Sequence, residues 1–260
     1  MQVRKFFLTV MAFALLVCGA LLLTGCGAEP PAPSLEPSPE QTAAATAAPA
    51  PSSSAAPEPF EITESFFDDA LFIGDSMTGG LYTTTLAQGG LGKAEIVYAD
   101  SLGCDTAVKS MMRLWYQGGY RMIPEVVQLS GANKLFLLLC ANDLSLSSEE
   151  LADDWDELID DIREDNPEVD IYIQSGTPAY SGIGDVNNEN ILALNEVLKQ
   201  TAKDKDCVYV DIARGFMDSE GKMSEEYTTD NYVHFNTEGC LVWIEELMDP
   251  ASYSVPPTGN

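Results

Sequence analysis

Positive charge and histidine are what this chain has least of. Against 41 Asp and Glu stand 13 Lys and Arg, a net charge of −28, and His234 is the only histidine in 260 residues. Nucleic acid and anionic lipid surfaces both need a basic footprint, so neither is expected as a partner. The six cysteines show no close-spaced ligand pattern, and one histidine does little to complete a set, which argues against a zinc site. No metal or other cofactor is implied. Internal repeats are missing as well.

What is present begins with a targeting segment. Arg4 and Lys5 precede an apolar run from Phe6 to about Leu23, the pattern of a secretory signal over residues 1–25. By length the run could cross a membrane, but Leu23-Thr24-Gly25-Cys26 sets small residues before a cysteine. This tetrad resembles the bacterial lipobox, in which the cysteine is lipidated and becomes the mature N-terminus. Cys26 is therefore the expected lipidation site. The expected location is the extracytoplasmic face of a bacterial cell membrane, reached through the lipid anchor only. The rest of segment 26–60 is rich in Pro, Ala and Ser, without apolar periodicity, and reads as a disordered or polyproline-like tether. At about 3.1 Å per residue it could reach roughly 100 Å. Cys18 leaves with the signal. Cys104, Cys140, Cys207 and Cys240 remain, with buried free thiols the default expectation; a disulfide is allowed outside the cell.

One domain is expected over 61–250, with a tail at 251–260. Strand-length apolar runs at 70–73, 95–99, 134–140, 170–174 and 207–212 alternate with helical periodicity at 106–116, 149–163, 191–203 and 237–248. In the second helical segment Leu151, Trp155, Leu158 and Ile162 fall on one stripe, and the acidic residues opposite read as a solvated face. Strands alternating with helices imply an α/β domain, a parallel sheet covered on both sides. Active residues then come from loops after the strands.

Residues 71–80, Leu-Phe-Ile-Gly-Asp-Ser-Met-Thr-Gly-Gly, end an apolar strand, turn at Gly74-Asp75 and enter a helix near Ser76 or Met77. Ser76 would sit at a helix N-terminus, where free N–H groups suit a developing negative charge. It is the candidate nucleophile. Asn142, in Cys140-Ala141-Asn142-Asp143, could donate to an oxyanion or simply cap a helix. Gly103, in the loop after the second strand, either offers its N–H or makes an ordinary turn. His234 can take a proton from serine near neutral pH, and Asp230, four residues earlier, can orient it. A lone histidine can equally be structural. Serine, histidine and acid together make nucleophilic acyl transfer available. Tyr180 and Tyr232 are candidate site neighbours, with Trp115 and Tyr116 as further aromatics for a sugar-stacking cleft. Segment 182–190 is either a lid or a turn.

Taken together, the Gly74-Asp75-Ser76 block, the Asn142-Asp143 block and the final Asp…His block resemble the SGNH, or GDSL, hydrolase family over about 67–247. No Gly-x-Ser-x-Gly elbow surrounds Ser76. The resemblance implies a flavodoxin-like three-layer α/β/α sandwich with a central parallel sheet of about five strands. It also implies hydrolysis of carboxylic esters, often acetyl groups on carbohydrates, so the expected partner is an acylated small molecule or carbohydrate. Carried over, Ser76 is the nucleophile, His234 the base and Asp230 its acid; the Ser76 N–H, Gly103 and Asn142 form the oxyanion hole. Three departures stand out. Cys140 replaces the family's glycine and would narrow access to the hole. The acid lies four residues before the histidine instead of three, with Asn231 at the usual position and an alternative partner for His234. The Cys104 N–H could stand in for that of Gly103. Cys104 and Cys140 are expected close together beside the site. An acyltransferase using the same residues, or an inactive binding lipoprotein on the same fold, are the alternatives.

Overall fold

The computed structural model describes residues 61–255. The signal segment, Cys26, the whole Pro/Ala/Ser segment and residues 256–260 lie outside the described residues.

The chain enters the sheet through β1 (Ala70–Gly74), buried along its whole length as an unbroken apolar run requires. Then α1 (Ser76–Gln88) starts at once, because Asp75 is its N-cap and takes the Met77 N–H at 2.9 Å. There follow β2 (Glu95–Tyr98), a single turn of helix α2 (Cys104–Val108), a hairpin of β3 (Leu114–Tyr116) and β4 (Gly119–Arg121), and α3 (Ile123–Ser130). The rest of the fold is β5 (Lys134–Leu138), α4 (Ser148–Asp165), β6 (Asp170–Gln174), α5 (Asn188–Asp204), β7 (Val208–Val210) and α6 (Thr237–Met248).

Five strands make one parallel sheet in the order β2-β1-β5-β6-β7, the doubly wound order of flavodoxin-like folds. Helices α1 and α6 pack together, and α4 packs against α2, α3 and α5, so helices cover the sheet as expected. Register also organises the core. Phe72, Phe136 and Tyr172 are level on three adjacent strands, and their rings stack at 4.5 and 4.4 Å. The stripe seen in the sequence is buried along α4, with Trp155 at its centre.

Three expectations change. The helix expected over 106–116 ends at Val108, and Leu114–Tyr116 is a strand: Leu114 and Tyr116 are buried while Trp115 between them is exposed, a period of two. Gln117 and Gly118 then take φ of 44° and 80°, the double left-handed turn that joins hairpins. Helix α3 is an addition to the expected elements; Pro124 in its first turn and left-handed Gly131 at its end are its start and stop. The expected tail starts inside the fold. Tyr253 is buried, the Asp211 N–H donates to Ser252 O at 2.7 Å, and the Ser254 N–H donates to Tyr209 O at 2.8 Å.

Gly74 joins β1 to the site. A Cβ there would fall on the Thr78 hydroxyl and lie 2.6 Å from Leu138 O on β5. Gly74→Ala is therefore expected to cost about 1–3 kcal/mol by overpacking. Urea unfolding that matches the parent would show that α1 can move away from the sheet freely.

Candidate active site

The strand order reverses between β1 and β5, and the loops after both strands open into the crevice between them. Ser76 follows β1 and Asn142 follows β5. His234 comes from the loop just before α6, which packs against α1. The structure brings the serine, the histidine and the acid into one line. Ser76 Oγ lies 3.0 Å from His234 Nε2, and His234 Nδ1 lies 2.5 Å from Asp230 Oδ2. A carboxylate on Nδ1 places the ring proton there and leaves Nε2 to accept from the serine hydroxyl.

Asp230 reaches the histidine from four residues away because Asn231 takes up the extra residue. Asn231 has φ of 56°, a left-handed conformation that asparagine tolerates well. The turn wraps around the carboxylate, and Asp230 Oδ1 accepts the N–H groups of Tyr232, Val233 and His234 at 2.9–3.2 Å and the Thr228 hydroxyl at 3.1 Å. Burial works against ionisation of Asp230, but the hydrogen bonds from His234, Tyr232 and Thr228 outweigh it and hold the carboxyl below its usual range. The loop after β6 clamps the same turn: the Ser181 hydroxyl donates to Asn231 O at 2.5 Å, and the Tyr180 N–H to Tyr232 O at 2.8 Å. Asn231 is thus the hinge of the turn, and its neighbour holds His234.

The expected oxyanion donors are placed differently. Ser76 is the first residue of α1, where the helix ladder offers its N–H no acceptor. Asn142 faces the crevice, but its Nδ2 donates to Leu102 O at 3.0 Å and to Asp75 Oδ2 at 3.2 Å. The Gly103 N–H donates to Thr106 Oγ1 at 3.0 Å, and the Cys104 N–H to Asp143 Oδ2 at 2.6 Å. A Cβ on Gly103 would run into the Asp143 carboxylate, which is why glycine stands there.

Cys140 does not narrow the crevice. Its side chain is buried, with the sulfur 4.0 Å from Gln174 O on β6. Burial pushes the Cys104 and Cys140 thiols well up, and all four described cysteines are free and buried. Tyr116 is not a site residue: its hydroxyl bonds Glu95 at the amino end of β2, the far end from the crevice, and Trp115 belongs to the same hairpin. Segment 182–190 is a turn closed by reciprocal Ile183–Val186 hydrogen bonds that leads into α5.

Asp75 and Asp143 are the residues sequence reasoning passes over. They are 1% and 2% exposed. Burial pushes both carboxyls up to about 6; the Met77 and Cys104 N–H groups, respectively, oppose the shift. Their signal is their place, each directly at the end of a turn where a short acid captures backbone N–H groups. Among the described residues no group of three or more His, Cys, Asp or Glu could hold a metal ion.

Residues 72–240 match the model of the GDSL-like lipase/acylhydrolase family. The chain belongs to that family. Solved structures of similar fold include a GDSL-like lipase from Bacteroides thetaiotaomicron, 15% identical, covering 70% of this chain and 85% of its own, with a TM-score of 0.55. A candidate acylhydrolase from Bacteroides fragilis is 16% identical over 68% of this chain and 83% of its own, at 0.54. A candidate platelet activating factor from Streptococcus pneumonia is 20% identical over 71% and 88%, at 0.57. At these identities the likeness is one of fold. A comparison with curated proteins finds no match. In this GDSL-family chain the three residues of the first block act separately. Gly74 allows close approach of α1 to the sheet, Asp75 caps the helix, and Ser76 presents its hydroxyl to the histidine.

The two buried acids set a pH dependence. Their folded values lie above the unfolded 3.8, so the stability of the neutral form is present near pH 4 and is lost as pH rises through about 6. Asp143→Asn keeps an oxygen for the Cys104 N–H but cannot ionise. Relative to the parent, it should be more stable at pH 7.5 than at pH 4.5 by about 2 kcal/mol. Urea titrations at both values check this, and an unchanged difference would exclude a charged Asp143.

Proposed function

We propose that this protein is a serine esterase, lipid-anchored at the outer face of a bacterial membrane, that hydrolyses O-acyl esters and above all O-acetyl groups on a glycan. The observation that carries the reading is the line from Ser76 Oγ through His234 to Asp230, at 3.0 and 2.5 Å. Ser76 attacks the ester carbonyl while His234 Nε2 takes its proton, and the imidazolium is stabilised by Asp230. The tetrahedral oxyanion forms at the N-terminus of α1 beside the Ser76 N–H. Asn142 joins by exchanging its longer bond, to Asp75, for the oxyanion. His234 then protonates the departing alkoxide, and water repeats the sequence on the acyl-enzyme.

The anchor rests on Cys26 and the apolar run before it. The glycan rests on an open site: the His234 side chain is 44% exposed, and Ser76 stands half-buried at the crevice rim, accessible to an acyl group carried on a polymer. The inactive alternative rests on Cys140 and the displaced acid. Neither counts in its favour, since the cysteine side chain turns to the core and the acid bonds the histidine.

A fluorophosphonate probe should label the parent and not Ser76→Ala, and Ser76→Ala should lose at least about 10⁴-fold in p-nitrophenyl acetate hydrolysis. Parent-level hydrolysis by Ser76→Ala would sink the nucleophile. Transfer of acetyl to an added sugar in excess of free acetate would make the protein an acyltransferase instead. Asp230→Asn should lower kcat by about 10⁴-fold through loss of the charge on Nδ1. Asn231→Gly preserves the left-handed turn and should stay within several-fold of the parent. The opposite ranking would move the acid role away from Asp230.

A further inference from the structure

Tyr98 ends β2 level with Gly74 on β1, so it stands at the same sheet edge as Ser76. Its ring lies on α1 at Gly79. A Cβ on that glycine would sit 2.7 Å from Tyr98 Cε2 and 3.0 Å from Cδ2. Gly79 is three residues beyond Ser76, which makes the two neighbours on one helix face, about 5–6 Å apart. Tyr82, three residues further on, packs against Tyr98 with ring centroids 5.9 Å apart and planes at 43°.

Two facts separate this pair from ordinary packing. Both rings keep solvent access, Tyr98 at 39% and Tyr82 at 38% exposed. The glycine beneath them gives the ring room: a side chain at 79 would shift the Tyr98 ring, whereas glycine inside a helix costs about 1 kcal/mol against alanine. Gly80, next to it, has no such conflict, since a Cβ there would meet Cys240 Sγ at an ordinary 3.5 Å. Glycine at position 79 thus leaves space for an exposed aromatic ring one turn from the nucleophile.

We infer that Tyr98 and Tyr82 form a sugar-binding wall beside Ser76, the subsite for the pyranose ring that carries the ester, which rests on the esterase reading above. A tyrosine offers an apolar face to the C–H groups of a pyranose and a hydroxyl at its edge for the sugar's own hydroxyls. The strongly acidic chain repels anionic polymers, so the sugar is a neutral one. Tyr98 and Tyr82 determine specificity and leave the chemical step to Ser76 and His234.

The test compares two substrates, an acetylated xylo-oligosaccharide and p-nitrophenyl acetate. Tyr98→Ala should lower the ratio of their kcat/KM values by tenfold or more, chiefly through the KM of the oligosaccharide, and Tyr82→Ala should lower it several-fold. Tyr98→Phe keeps the ring and most of the ratio. Gly79→Ala, which displaces the ring without removing it, should lower the ratio as Tyr98→Ala does. Disturbed folding would depress both substrates together and leave the ratio unchanged, which overturns the subsite. Sugar binding is also read without catalysis, by calorimetric titration of the oligosaccharide into Ser76→Ala and into Ser76→Ala/Tyr98→Ala. Equal affinity overturns the subsite even where the esterase stands. Weaker binding by the double variant, with no ester hydrolysis by the parent, would keep the sugar wall and discard the esterase.

Discussion

The carboxylate of Asp75 ties together the loops that follow β1 and β5. One oxygen caps the first turn of α1 through the Met77 N–H, and the other takes the side-chain amide of Asn142 after β5. The nucleophile's helix and the loop after β5 are thereby referred to one buried group. Such a group is costly to bury unless it is hydrogen-bonded, and the Met77 N–H keeps it bonded when Asn142 turns to the oxyanion. Asp143 repeats the device one loop away, holding the Cys104 N–H at the start of α2 and packing on Gly103. The crevice is thus lined by backbone whose position is set by two carboxylates that take no part in bond making.

The histidine side of the site is built on different physics. Here the acid is partly exposed and gathers three consecutive backbone N–H groups, and the strain of a left-handed residue is accepted at Asn231. A turn of this kind defines the direction of His234 by local geometry. Outside support comes at the carbonyls of Asn231 and Tyr232, which the β6–α5 loop supplies. One extra residue between acid and base is therefore absorbed in the turn and does not reach the ring.

Much of this is legible in the sequence because it depends on local signals. All five parallel strands are apolar runs, the stripe of α4 repeats at helical spacing, and the only histidine in the chain is the one that meets Ser76. The hairpin at 114–121 escapes such a reading because three-residue strands are too short to show a period against the helical pattern before them, and the Gln117-Gly118 turn is the better signal. The donor geometry is illegible for another reason. Whether an N–H is free depends on which distant acceptor lies opposite, and the Thr106 hydroxyl and the Asp143 carboxylate take donors that spacing alone makes available.

The chain closes its sheet at the far side with its own C-terminal segment. Residues 252–254 lie along β7, with Tyr253 bridged to Val210 and its hydroxyl donating to Leu247 O at 2.7 Å. At the other margin β3 packs beside β2. Open margins of a parallel sheet carry unpaired peptide groups that recruit strands from other molecules. With one margin bonded to residues 252–254 and the other screened by a hairpin, these domains offer one another little template for sheet-to-sheet aggregation even at high concentration.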